Sequence, residues 1–131
     1  MKTVTPDKVV DASVVAAILF SEPRADEASR LLGDSKLHAP HILPVELCSV
    51  ALKKMRLLDS QKDKLERELE LAAAFDVTLV TVRPRDVLRL AFAMELSAYD
   101  ACYLQVARLL DCQLVTFDKK LAAAARSARR V

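Results

Sequence analysis

A chain of 131 residues with a single glycine has few ways to build tight turns. Two-residue β-hairpin loops need positive φ, which glycine supplies at least cost. An all-β fold of such hairpins is therefore disfavoured. Glycine-rich phosphate loops are also excluded, because neither GxxxxGK[ST] nor GxGxxG occurs. Strands in such a chain are better joined by helices, and the sequence reads that way. Short apolar or β-branched runs predict strands at residues 8–11, 37–39, 77–82 and 113–117. Between and around them, helical patterns cover residues 13–20, 23–32, 43–58, 60–75, 84–96, 97–110 and 119–128. Gly33 ends the second of these helices, and Pro44 sits in the first turn of the third, where its missing N–H costs nothing. Strands alternating with helices imply a mostly parallel sheet covered on both faces. The expectation is one α/β domain over residues 1–131, in three α/β/α layers, with a central sheet of four or five strands.

Two of these strands end on a carboxylate. KVVDASVV delivers Asp11, and LVTFDKKL, more than a hundred residues later, delivers Asp118. Ligands of parallel sheets bind beyond the carboxyl ends of the strands, so the two acids are candidate neighbours there. Glu46 falls in the first turn after Pro44, and Asp100 opens the helix at 97–110. Each acid also has a purely structural reading. Asp11 and Asp118 are placed as N-caps, Ser97 and Asp100 match a capping box, and Glu46 suits the helix dipole. As a set they read differently, because crowded carboxylates repel unless a cation sits among them. Oxygen-only donors suit Mg²⁺ or Mn²⁺ rather than Zn²⁺. His38 and His41, which flank Pro40, read as loop or surface residues. Cys48, Cys102 and Cys112 are odd in number and lack CxxC spacing, which argues against a zinc site or disulfide framework. Cys48 and Cys102 lie among apolar neighbours and read as buried thiols.

A net charge of +2 permits nucleic-acid binding without demanding it. Cations cluster near the acids in sequence: Lys119 and Lys120 after Asp118, then Lys53, Lys54 and Arg56 along the Glu46 helix. Arg83, Arg85 and Arg89 form a further group. Lys53, Lys119 and Lys120 are candidate phosphate contacts, with solvated helix faces as the alternative. Aromatic content of 5% gives little support to a base-stacking platform. The apolar run at residues 14–20 is too short to span a membrane, and Pro6, Asp7 and Asp11 interrupt a signal-peptide reading. A cytoplasmic protein is expected.

The stretches VVDASVVAAILFSEP, APHILPVELCSVALKKM and LSAYDACYLQVARLLDCQLVTFDKKLAAAA together resemble the PIN-domain family. Within it they look most like the VapC-type toxins of toxin–antitoxin pairs. The family pattern is an Asp after the first strand, a Glu in a helix after a proline, an Asp in a Y-D-A helix start and an Asp in a T-x-D strand end. It falls here on Asp11, Glu46, Asp100 and Asp118, and the resemblance covers nearly the whole chain. It implies a PIN-like fold and a Mg²⁺- or Mn²⁺-dependent endoribonuclease. Asp11, Asp100 and Glu46 would hold an ion, while Asp118 would bind a second ion or orient water. Ser13 stands where many members carry Asn and would bond Asp11 or a metal-bound water, with an N-cap role as the alternative. Thr116 would orient Asp118. The implied partners are RNA, a VapB-like antitoxin and a second copy of the chain. A further strand at residues 129–131 would match relatives that continue past the last helix. Two other classes compete: a non-catalytic PIN-like module that binds RNA or protein, and a metal-dependent phosphatase. The DxDGT phosphatase signature is absent.

Overall fold

Val9 and Val10 have no exposed surface, and their strand, β1 (Asp7–Val10), is paired on both sides. The structure, a computed structural model, describes residues 5–129. Beside β1 lie β2 (Lys36–Pro40) and β4 (Gln113–Val115), with β3 (Val77–Val80) outside β2. Every pairing is parallel, in the order β3-β2-β1-β4. Val9 stands opposite both His38 and Leu114. The sequence expectation of four or five mostly parallel strands is met with four among the described residues. The further strand suggested at 129–131 starts inside a helix that runs to Arg129, and residues 130 and 131 lie outside the described range.

Helices cover the sheet on both faces. They are α1 (Ala12–Leu19), α2 (Ala25–Leu32), α3 (Leu43–Leu57), α4 (Lys62–Glu70), α5 (Pro84–Met94), α6 (Ala98–Leu110) and α7 (Lys119–Arg129). Helix α6 lies against β1 and β2 and carries α5 and α7 beside it; α1 packs with α2 and α3, and α3 with α4. Val14, Val15, Ala16, Ala17 and Leu19 are all buried, so α1 is apolar on nearly every side, as an inner helix must be. Tyr103, Leu104 and Val106 of α6 complete the core with Leu121 of α7.

Strand ends differ from the sequence expectation for one reason. A strand stops where its partner stops. β3 ends at Val80 because its partner β2 ends at Pro40, so Thr81 and Val82 have no ladder to join. β4 ends at Val115, opposite Val10, and Thr116 and Phe117 leave it as a loop. The helix expected over 60–75 is broken. Only residues 62–70 are α-helical, with 3₁₀ turns at Asp59–Gln61 and Leu71–Ala74. Cys48 is exposed rather than buried, because α3 turns Leu43, Leu47 and Ala51 inward and leaves position 48 outside. Cys102 is half-buried and Cys112 buried.

The scarcity of glycine shows in the turns. Ser21, Glu95 and Asp111 adopt positive φ, the last two as left-handed C-caps of α5 and α6. Gly33, at φ 55° and ψ −133°, holds a conformation that side chains rarely reach.

Candidate active site

Asp11 follows β1 directly and caps α1. Its Oδ1 accepts from the Ser13 and Val14 N–H groups at 3.1 and 3.3 Å and from Ser13 Oγ at 2.5 Å. Its Oδ2 accepts from Thr116 Oγ1 at 2.6 Å. The N-cap reading is therefore correct as far as it goes. At 7% exposure Asp11 is also the only charged residue among the described ones that is buried. Burial raises its pKa, against the lowering effect of the Ser13 and Thr116 hydroxyls and the Val14 and Ser13 N–H groups. A carboxylate has about four lone-pair sites. Three donors crowd Oδ1 and one takes a side of Oδ2, which leaves one Oδ2 direction for a ligand.

Ser13 and Thr116 stitch two distant ends together. Ser13 Oγ also accepts from the Phe117 N–H at 3.1 Å. Thr116 Oγ1 accepts from the Asp118 N–H at 3.0 Å while it donates to Asp11. Thr116 thus contacts Asp118 through the backbone N–H rather than the carboxylate, and its hydroxyl proton serves Asp11. Asp118 is exposed and caps α7, with Oδ1 accepting from the Leu121 N–H at 3.0 Å.

Glu46, half-buried in the first turn of α3, accepts from Tyr103 Oη at 2.5 Å. Its pKa is raised, chiefly by burial; the Tyr103 bond opposes this and the Asp11 and Asp100 charges add to it. Asp100 stands in the first turn of α6, and its backbone N–H donates to Ser97 Oγ at 3.1 Å. Its pKa is raised by burial and then by the charge of Asp118, while the Ser97 hydroxyl and Lys120 lower it. Charge links the four acids: Asp11 and Asp100 both act on Glu46, and Asp118 acts on Asp100. Asp100, whose edge of the sheet was open from sequence, belongs with the other three.

Tyr103 was not singled out from the sequence. It is 1% exposed, and its phenol is pushed well above its ordinary pKa, first by burial and then by the bond to Glu46 and the Glu46 and Asp11 charges. It stays a proton donor at every working pH and fixes Glu46 through Oε1. Its signal in the sequence was a tyrosine one turn after Asp100 followed by mostly apolar residues, since buried tyrosine hydroxyls usually find a partner. Lys120 reaches the site through its charge on Asp100. Lys119 is exposed beside it. Lys53 lies two turns down α3 from Glu46, about 10 Å along the axis. The imidazole of His38 pairs with Asp7 at 2.9 Å, and that of His41 with Thr81 Oγ1 at 3.3 Å. Neither histidine pairs with one of the four acids.

The donors fit Mg²⁺ or Mn²⁺ in kind. All are carboxylate oxygens, and their mutual repulsion is what a divalent cation would relieve. Among the described residues, no three His, Cys, Asp or Glu side chains stand close enough to enclose an ion by themselves. Mg²⁺ requires less, since it is usually held by one or two carboxylates and keeps several waters. The arrangement suits such a partly hydrated ion.

A parallel α/β/α domain with four acids at the carboxyl edge of its sheet is the PIN arrangement, and the PIN domain family model matches residues 8–127. The chain belongs to the PIN-domain family. Among curated relatives, Ribonuclease VapC3 of Pyrobaculum aerophilum is 31% identical over 119 residues, spanning 87% of this chain and 91% of the relative. Ribonuclease VapC9 of Mycobacterium tuberculosis is 33% identical over 118 residues, spanning 86% and 87%. Of the solved structures, PAE2754 from Pyrobaculum aerophilum matches with a TM-score of 0.74 at 25% identity, over 92% of this chain and 81% of that one. Mycobacterium tuberculosis VapC20, described as a sarcin–ricin loop cleaving toxin, matches with a TM-score of 0.66 at 21% identity, over 89% and 94%. That last likeness bears on the fold alone. No helix among the described residues is long and apolar enough to cross a membrane.

Proposed function

We propose that the protein is a divalent-metal-dependent endoribonuclease of the VapC type, acting as the toxin of a toxin–antitoxin pair in the cytoplasm. The observation that carries this reading is the coupled chain of four acids, held in place by Ser13, Thr116 and Tyr103. A module that only bound RNA or protein would gain nothing from four carboxylates gathered at one edge of the sheet.

Of Asp11, Glu46, Asp100 and Asp118, one or two at a time would hold a partly hydrated Mg²⁺ or Mn²⁺ ion. When bound, such an ion supplies a water of lowered pKa and polarises a phosphoryl oxygen. The protein's own part is positional. Asp11 offers a single Oδ2 direction, fixed by four hydrogen bonds. Tyr103 occupies Oε1 of Glu46, which leaves Oε2 available to a ligand. Lys119 and Lys120 offer positive charge for RNA phosphates beside Asp118.

The partner readings have support of a different kind. Leu88 and Phe92 lie one turn apart on α5, and Phe92 is 87% exposed; they are a candidate face for a second copy. An apolar groove of about 610 Å³ runs beside Leu43 and Pro44, at the start of the Glu46 helix. It offers room for the apolar side chains of a VapB-like antitoxin.

Cleavage of total RNA and of purified tRNA, with and without Mg²⁺, tests the central reading. Wild type should cleave only with metal, and Asp11→Asn should not cleave. Asparagine is as good an N-cap as aspartate, so this variant keeps its helix start and its fold. Metal-independent cleavage, or undiminished cleavage by Asp11→Asn, would falsify the assignment.

A further inference from the structure

Arg24 lies in the turn between α1 and α2, at the N-cap position of α2. Its Nε and Nη2 donate to Glu27 Oε2 and Oε1 at 2.8 and 2.9 Å. The centre of its guanidinium sits 3.7 Å from the centroid of the Phe117 ring. Arginine side chains are costly to immobilise, yet this one is fixed by a two-bond fork on one edge and a ring on one face. Stability is a poor reason for it, because the Arg24–Glu27 pair is exposed and such pairs contribute little.

Location gives a better reason. Phe117 stands between Thr116, which holds Asp11, and Asp118, and its own N–H donates to Ser13 Oγ. The guanidinium is therefore braced against the β4 end of the acidic edge. Its five N–H donors are two committed to Glu27 and three left over. A planar, permanently charged, pre-oriented head with donors to spare is suited to phosphate oxygens. Lys54, the other cation near this turn, is occupied differently: it lies 3.8 Å from Glu22 and over the Phe20 ring.

We propose that Arg24, braced by Glu27 and stacked on Phe117, contacts a backbone phosphate of the RNA substrate beside the acidic edge. The proposal rests on the ribonuclease reading above. The contact would position RNA without reading its sequence.

The test uses purified bulk tRNA, with binding measured over a range of salt concentrations without added metal and cleavage measured with Mg²⁺. Arg24→Ala should bind more weakly, and its slope of log affinity against log salt should be shallower by about 0.7 to 0.9, the share of one phosphate contact. Its KM should rise several-fold with kcat unchanged. Arg24→Lys should keep most of the salt slope, because the charge remains, and lose part of the affinity, because lysine cannot keep the fork and the stack. An unchanged slope and KM in Arg24→Ala overturn the proposal. A loss confined to kcat overturns it too, and makes Arg24 a brace for the 116–118 loop. A wild type that binds tRNA but cleaves neither it nor total RNA sinks the ribonuclease reading, while the salt slope still decides on Arg24. A wild type that neither binds nor cleaves overturns both.

Discussion

Glu46 is the acid whose setting depends most on one neighbour. Removing the Tyr103 hydroxyl by Tyr103→Phe deletes the bond that holds its Oε1 and lowers its pKa, with little change in core volume. Burial and the Asp11 and Asp100 charges would then act with less opposition, and the pKa of Glu46 would rise further. If the ionised form is needed for metal holding, the acid limb of the cleavage profile should move to higher pH. The rate at neutral pH should fall by on the order of tenfold, as for other groups that orient a metal ligand. A pH–rate series on wild type and variant checks this. An unmoved acid limb would reduce Tyr103 to a packing residue. The same scale shows what sequence conceals. Asp11, Glu46, Asp100 and Asp118 each had a capping or helix-dipole reading of its own, and only as an ordered set did they stand out as a candidate site. Their supports were legible only in part: Thr116 acts on Asp11 across 105 positions, and Tyr103 on Glu46 across 57.

At the scale of elements, helix and strand order was readable throughout, and boundaries failed where a partner sets them. β3 and β4 were drawn two residues too long because nothing in VTLVTV or QLVTF says where β2 and β1 end. The apolar neighbours of Cys48 suggested burial, whereas only the inward face of α3 is covered. Turn chemistry gives a prediction of its own. Glu95 closes α5 at φ 54°, a left-handed cap that suits glycine far better than a side chain. Glu95→Gly should stabilise the protein by about 0.5 to 1 kcal/mol, the left-handed penalty less the extra freedom of the unfolded chain. That amounts to a few degrees in melting temperature for a domain of this size. Cleavage should be unaffected. A lower melting temperature in the glycine variant would mean that the Glu95 side chain makes a stabilising contact of its own.

For the whole molecule, the acid chain couples stability to pH and to metal. Asp11, Glu46 and Asp100 all bind protons more readily in the folded state than unfolded. Stability falls with rising pH wherever the folded state holds more protons. Their contribution is full below the ordinary values of 3.8 for aspartate and 4.5 for glutamate, and is lost as pH rises through the higher folded values. Metal-free protein should therefore melt higher in mild acid than at neutral pH. Asp100→Asn should melt higher than wild type at neutral pH without metal, since it removes a repelling charge while the cap bond from its backbone N–H to Ser97 survives. Mg²⁺ should stabilise wild type by roughly 1.4 kcal/mol at about ten times its dissociation constant, and the variant by less. Thermal melts in chelator and in Mg²⁺ across this pH range decide it. A lower metal-free melting temperature with a full Mg²⁺ response would take Asp100 out of the site.

The pairing of β1 with β4 also sets a schedule for synthesis. Asp11 emerges from the ribosome more than a hundred residues before its Oδ2 partner Thr116 and the last acid, Asp118. Until β4 docks beside β1, Asp11 has no bond from Thr116, Ser13 has none from Phe117, and the acid chain lacks its end. A growing chain is thus chemically incomplete until then. An enzyme that attacks RNA would be made in a harmless form, next to the largest RNA assembly in the cell, and would become active only when residues 113–118 take their place.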